Sequence, residues 1–129
     1  MTAYAVAHLT HPPANMPDEI LLYMERVQAT LDPFGGRFLV HGGLIEILEG
    51  TWPGVLVLIE FPDIATASAW YESAAYSAIK ALRTRNIPSH AILADGVAAD
   101  YDAAHTAALL RQSGHGSAAV EERDATSVG

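Results

Sequence analysis

The chain contains no cysteine among its 129 residues. Disulfides, thiolate metal centres and cysteine nucleophiles are therefore excluded together. Lysine is nearly absent: Lys80 is the single one, and Lys plus Arg total 7 against 15 Asp plus Glu, a formal net charge of -8. Nucleic-acid-binding domains carry a basic patch, and none is visible here, so nucleic acid is not an expected partner. No run of about 18 apolar residues occurs, which gives no expectation of a membrane span. The start of the chain, Met1 to His8, lacks the basic segment of a secretory leader. Together with the missing cysteines this points to a cytoplasmic home. There is no helical HxxxH or HExxH spacing for a metal. There is also no glycine-rich phosphate loop, because Gly35-Gly36 and Gly42-Gly43 fall before and within a strand rather than between strand and helix. Ser73 has no flanking elbow glycines, which argues against a serine hydrolase.

What is present is half hydrophobic by composition, enough for one well-packed domain. Tyr4 to Thr10 reads as a strand with small or apolar residues on both parities, hence buried on both faces. Pro17 opens a helix, with Asp18 and Glu19 suiting its positive end, and Ile20, Met24, Val27 and Leu31 form an apolar stripe. Arg37 to Val40 is a second strand. The Gly42-Gly43 pair reads as a bulge within one long strand that continues through Leu44 to Leu48. Gly50 to Gly54 then makes a hairpin turn into Val55 to Phe61. Asp63 caps the next helix, which breaks near Ser73 and restarts toward Arg85. Ser89 to Ala94 is the fourth strand. The order βαββαβ predicts an α+β, ferredoxin-like sandwich over residues 1–97. In that fold the helices cover one sheet face, yet these strands are apolar on both, and a second copy of the chain is the expected cover. Residues 98–129 are set apart as a C-terminal helix, over Asp100 to Leu110, and a flexible polar tail from Gln112. Residues 1–97 carry 10 acids and 5 bases and the remainder 5 and 2, so the acidity belongs to both parts.

An ordered set of short pieces runs through residues 3–97: Gly35-Gly36-Arg37-Phe38-Leu39-Val40-His41-Gly42-Gly43, Leu48-Glu49-Gly50-Thr51-Trp52, Ile59-Glu60-Phe61-Pro62, Trp70-Tyr71-Glu72-Ser73-Ala74-Ala75-Tyr76, Arg83 and Asp95-Gly96. In these pieces the chain resembles the DUF1330 family of the dimeric α/β-barrel superfamily. It departs from the family in having Ser73-Ala74-Ala75-Tyr76 where Ser-Pro-Glu-Tyr is common, and His41 where Arg often stands. The resemblance implies a ferredoxin-like protomer whose sheet packs against that of a partner across a homodimer. It also implies small-molecule chemistry without organic cofactors, as in monooxygenases, lyases and isomerases, alongside non-enzymatic members.

The residues themselves offer four sets of candidates. His41 and Glu60 are brought near one another by counting back from the hairpin turn, and an imidazole beside a carboxylate is a general acid/base pair. The competing reading is a strand-end histidine and a carboxylate in a salt bridge. Trp70, Tyr71, Ser73 and Tyr76 can share a helix face at spacings of three if the helix is continuous, forming an aromatic wall with hydroxyl donors. They equally read as amphipathic aromatics packed on the sheet. Arg83, seven residues after Tyr76, can receive a carboxylate, or can pair with Glu72 or the helix C-terminus. His8 and His90 sit on neighbouring antiparallel strands and are expected to hydrogen-bond rather than hold a metal; a heme- or oxygen-using protein with His8 as axial ligand is a third option. Taken together these predict a small cofactor-independent enzyme moving protons on an oxygen-containing metabolite. His41 or Glu60 would be the base, and Trp70, Tyr71, Ser73, Tyr76 and Arg83 the binding residues. The alternative is a non-catalytic dimer that binds a small molecule.

Overall fold

A computed structural model describes residues 1–114 of the chain. Its first unit, Met1–Gly96, is built from β1 (Ala3–Leu9), α1 (Asp18–Leu31), β2 (Arg37–His41), β3 (Val55–Phe61), α2 (Ile64–Tyr71), α3 (Ala74–Thr84) and β4 (Ser89–Asp95). A turn of 3-10 helix, Asp32–Phe34, follows α1 and ends on Gly35 in the left-handed region. The four strands form one sheet in the order β2-β3-β1-β4, and every neighbouring pair is antiparallel. This is the α+β, ferredoxin-like arrangement that the βαββαβ order predicts. The second unit begins at Val97 and contributes α4 (Ala103–Ser113), which Asp102 caps by accepting from the Ala104 amide. The helix was expected over Asp100 to Leu110 and a polar tail from Gln112; the helix starts later and runs on through Gln112 to Ser113. The expected tail from residue 115 onward lies outside the described residues.

Sheet register separates the two faces. Ala3, Ala5, Ala7 and Leu9 of β1 stand opposite Phe61, Ile59, Val57 and Val55, so these residues share the helix side. There Ile59 and Phe61 pack with Val27 and Leu31 of α1, Ala67 and Trp70 of α2, and Tyr76 and Ile79 of α3. Of the predicted α1 stripe, Ile20, Val27 and Leu31 are buried, while Met24 stays partly exposed. The opposite face carries Tyr4, Val6 and His8, with Leu58 and Leu56 across from Val6 and His8. None of these belongs to the core cluster.

The connection between β2 and β3 differs from the sequence-based expectation. Leu44 to Leu48 forms no strand, and the glycine pair ends β2 rather than bulging it. Gly42 and Gly43 take φ values of 70° and 81°, left-handed conformations that break the extended run; only the Gly42 amide still reaches β3, at the Leu56 carbonyl, 2.9 Å. The bulge lies earlier. Phe38 pairs with Ile59, but Val40 pairs with Leu58 and His41 with Val57, which leaves Leu39 as the extra residue. Residues 42–54 therefore form a long loop in place of a tight hairpin turn. At its end the backbone of Gly54 lies against β1: a Cβ there would sit 1.9 Å from the Leu9 carbonyl oxygen.

Candidate functional site

The break between α2 and α3 shapes the site. Asp63 caps α2 by accepting from the Thr66 amide, 2.7 Å, and the Thr66 side chain, then that amide, hold its carboxyl below its ordinary value. At the next turn the Ser73 hydroxyl accepts from the Tyr76 amide, 3.2 Å, and donates to the Trp70 carbonyl, 2.7 Å. Ser73 thus caps α3 and ties it to the end of α2. The helix is not continuous, so the i, i+3 face expected for Trp70, Ser73 and Tyr76 does not arise. The capped turn gathers the aromatics instead: the Trp70 and Tyr76 rings lie 4.2 Å apart and those of Tyr71 and Tyr76 5.4 Å apart. The buried indole of Trp70 donates to the Thr30 hydroxyl, 3.0 Å, and Thr30 donates onward to the Val27 carbonyl, 2.7 Å.

Between these helices and the sheet lies a cavity of about 530 Å³. Trp70, Tyr71, Tyr76, Arg83 and His41 all line it, and Ser73 does not. Arg83 is 8% exposed. Its Nη2 donates to the Tyr76 hydroxyl, 3.3 Å, and its guanidinium lies 5.8 Å from the Tyr23 ring centre. The Tyr23 and Tyr76 hydroxyls share a hydrogen bond of 2.8 Å. Burial and then the neighbouring Tyr76 push the Tyr23 hydroxyl far above the usual phenol range, so it is a neutral donor. Burial opposes the charge on Arg83, but the Tyr76 and Tyr23 oxygens outweigh it, and the group stays a cation. Among the described residues the ion pairs are Arg37–Glu60 at 2.8 Å and Arg85–Glu19 at 2.5 Å. The expected alternative of a pair with Glu72 does not form among the described residues, whereas Arg83 does stand in the last turn of α3, as a buried cation bonded to the Tyr76 hydroxyl.

Two hydroxyls joined by one hydrogen bond leave one phenolic proton free, and a guanidinium carries five N–H groups, of which Tyr76 uses one. The cluster can therefore donate several hydrogen bonds to an oxygen atom in the cavity. Tyr23 was not among the sequence-derived candidates. Its signal was its place three residues after Ile20 and four before Val27, on the buried side of α1.

His41 and Glu60 do not meet. Leu39 shifts the register, so that His41 faces the helix side opposite Val57, with its ring 4.8 Å from that of Phe38. Glu60 stands opposite Tyr4 and Arg37 on the other face and is held by Arg37. The counting that paired His41 with Glu60 assumed a strand through residue 48, which the left-handed glycines prevent. His8 and His90 are directly opposite, their rings 6.4 Å apart; His8 stacks on Trp52 at 4.5 Å and bonds to the Pro53 carbonyl. No group of three or more potential metal-ligating side chains occurs among the described residues.

A family model, a domain of unknown function named DUF1330, matches residues 2–97. The chain belongs to the DUF1330 family. No curated protein matches it in sequence. Solved structures share its fold. A protein of unknown function from Rhodopseudomonas palustris is 16% identical with a TM-score of 0.58, covering 75% of this chain and 83% of its own. A dimeric ferredoxin-like protein of unknown function from Jannaschia sp. CCS1 is 13% identical with a TM-score of 0.52, covering 74% of this chain and 100% of its own. At such identities the likeness concerns the fold alone. The DUF1330 match spans the whole sheet, helices α1 to α3 and every residue that lines the cavity.

Proposed function

We propose that this DUF1330 protein binds a small oxygen-bearing organic molecule in the cavity and promotes proton transfer on it, as an isomerase, cyclase or lyase would, with its own side chains. The observation that carries this reading is Arg83, a buried cation on the wall of an apolar cavity, with no carboxylate partner among the described residues. A buried charge without a counter-charge is costly, which is the expected condition of a site built for an anion or a developing oxyanion. Arg83 and the Tyr23–Tyr76 pair would polarise a carbonyl or carboxylate oxygen. His41 would take the proton from the adjacent carbon as the electron pair moves onto that oxygen, then return it at another position. Glu60 has no part in this reading, because it lies on the opposite face of the sheet.

The second reading, a binding protein without turnover, is favoured by one observation: no carboxylate orients His41 among the described residues. In either reading the working unit is a homodimer. The apolar sheet face, with Ile92 61% exposed, and the β2–β3 loop, with Leu44 at 99% and Leu48 at 85%, are surfaces a second copy would cover. The Jannaschia protein, described as dimeric, supports a dimer here.

The test is a thermal-shift screen of small carboxylates, lactones and phenols against the wild-type chain and Arg83→Ala. A ligand at a hundredfold excess over its Kd should add about 2.7 kcal/mol of stability, and Arg83→Ala should abolish the shift. Each hit is then incubated in deuterium oxide and its carbon-bound hydrogens followed by NMR. Exchange that disappears in His41→Ala supports catalysis. Binding without exchange establishes the second reading, and a panel with no hits defeats both.

A further inference from the structure

We propose that the ligand is an apolar-bodied monocarboxylate whose head is received by Arg83 and the Tyr23–Tyr76 hydroxyl pair. This inference rests on the cavity being a small-molecule site and narrows the class of molecule that occupies it.

Charge sets the head group. Arg83 supplies one fixed positive charge, and neither ion pair of the described residues involves it. A single carboxylate neutralises that charge. A neutral ligand leaves the guanidinium uncompensated in a low-dielectric pocket, and a dianion leaves one negative charge uncompensated there instead. Geometry agrees with charge. The planar guanidinium has donors to spare after its bond to Tyr76, and the neutral phenol pair has one proton to spare, which suits the two oxygens of a carboxylate.

The remainder of the wall sets the body. Ile20, Met24, Phe38, Val57, Ile59 and Leu93 line the cavity from α1 and three strands. A cavity of about 530 Å³ is far larger than a carboxylate needs and falls within the range that holds whole small organic ligands. Met16 and Met24, also on the wall, can adapt to an aliphatic or an aromatic body.

The test is isothermal titration of the full chain near neutral pH with hexanoate, octanoate and phenylacetate. The comparators are octanamide, with the same body and no charge, octanedioate, with a second charge, and inorganic phosphate. Octanoate should bind more tightly than hexanoate and at least roughly tenfold more tightly than each comparator. Arg83→Met, checked for folding by circular dichroism, should erase the difference between octanoate and octanamide. The double variant Tyr23→Phe with Tyr76→Phe keeps the Arg83 charge and most of the packing but removes every phenolic proton of the cluster, and should weaken octanoate several-fold; it decides the question if Arg83→Met does not fold. Octanamide or octanedioate binding as tightly as octanoate, or an octanoate affinity unchanged in the double variant, overturns the carboxylate assignment. That result, with lactones or phenols still binding, leaves the broader small-molecule reading intact, whereas the absence of any ligand in either panel defeats both.

Discussion

Thr30 shows how a single hydroxyl supports the cavity wall. It accepts from the buried Trp70 indole and donates to the Val27 carbonyl, so it links α1 to the aromatic cluster. Thr30→Val keeps the shape but removes the acceptor, leaving the indole N–H buried without a partner. Urea unfolding should show a loss of about 1–3 kcal/mol, while Thr30→Ser, which keeps the hydroxyl, should lose clearly less. Surface polar contacts behave differently. The Arg37–Glu60 pair is solvent-exposed at its Arg37 end and contributes roughly 0–1 kcal/mol. The sequence displayed both pairs of residues equally; only burial separates the structural bond from the dispensable one.

At the scale of the element, the turn between α2 and α3 is decisive. Ser73 makes two hydrogen bonds that stop one helix, start the next and hold Trp70 beside Tyr76. Ser73→Ala should cost about 1 kcal/mol of stability, the usual worth of an N-cap, and should also weaken ligand binding because Tyr76 loses its fixed position. Ser73→Asp, which can still cap, should retain most of the stability in the same unfolding assay. The break was legible in the sequence because a serine that caps a helix is a local signal. The register of β2 was not. Side chains alternate with period two, so one extra residue at Leu39 moves His41 to the helix side and away from Glu60. No local pattern around Leu39 marks it as the extra residue.

For the whole molecule, the two faces of the sheet have different fates. One is filled by helices and cavity, and the other leaves Ile92 exposed. If a second copy covers that face, Ile92→Asp should convert the dimer to a monomer in size-exclusion chromatography with light scattering. A wild-type chain that elutes as a monomer at micromolar concentration would overturn the dimer.

The sequence by itself determined the order of the elements, the cap at Asp63, the helix break near Ser73 and the gathering of Trp70, Tyr71, Tyr76 and Arg83 within one segment. These follow from periodicity and from interactions between residues a few positions apart. Only the tertiary structure decided that Tyr23, 53 residues before Tyr76, completes the hydroxyl pair, that Arg83 is buried with no carboxylate partner among the described residues, and that His41 and Glu60 face opposite ways. Each of these depends on how distant segments meet and on the register at which strands pair, which no local pattern encodes.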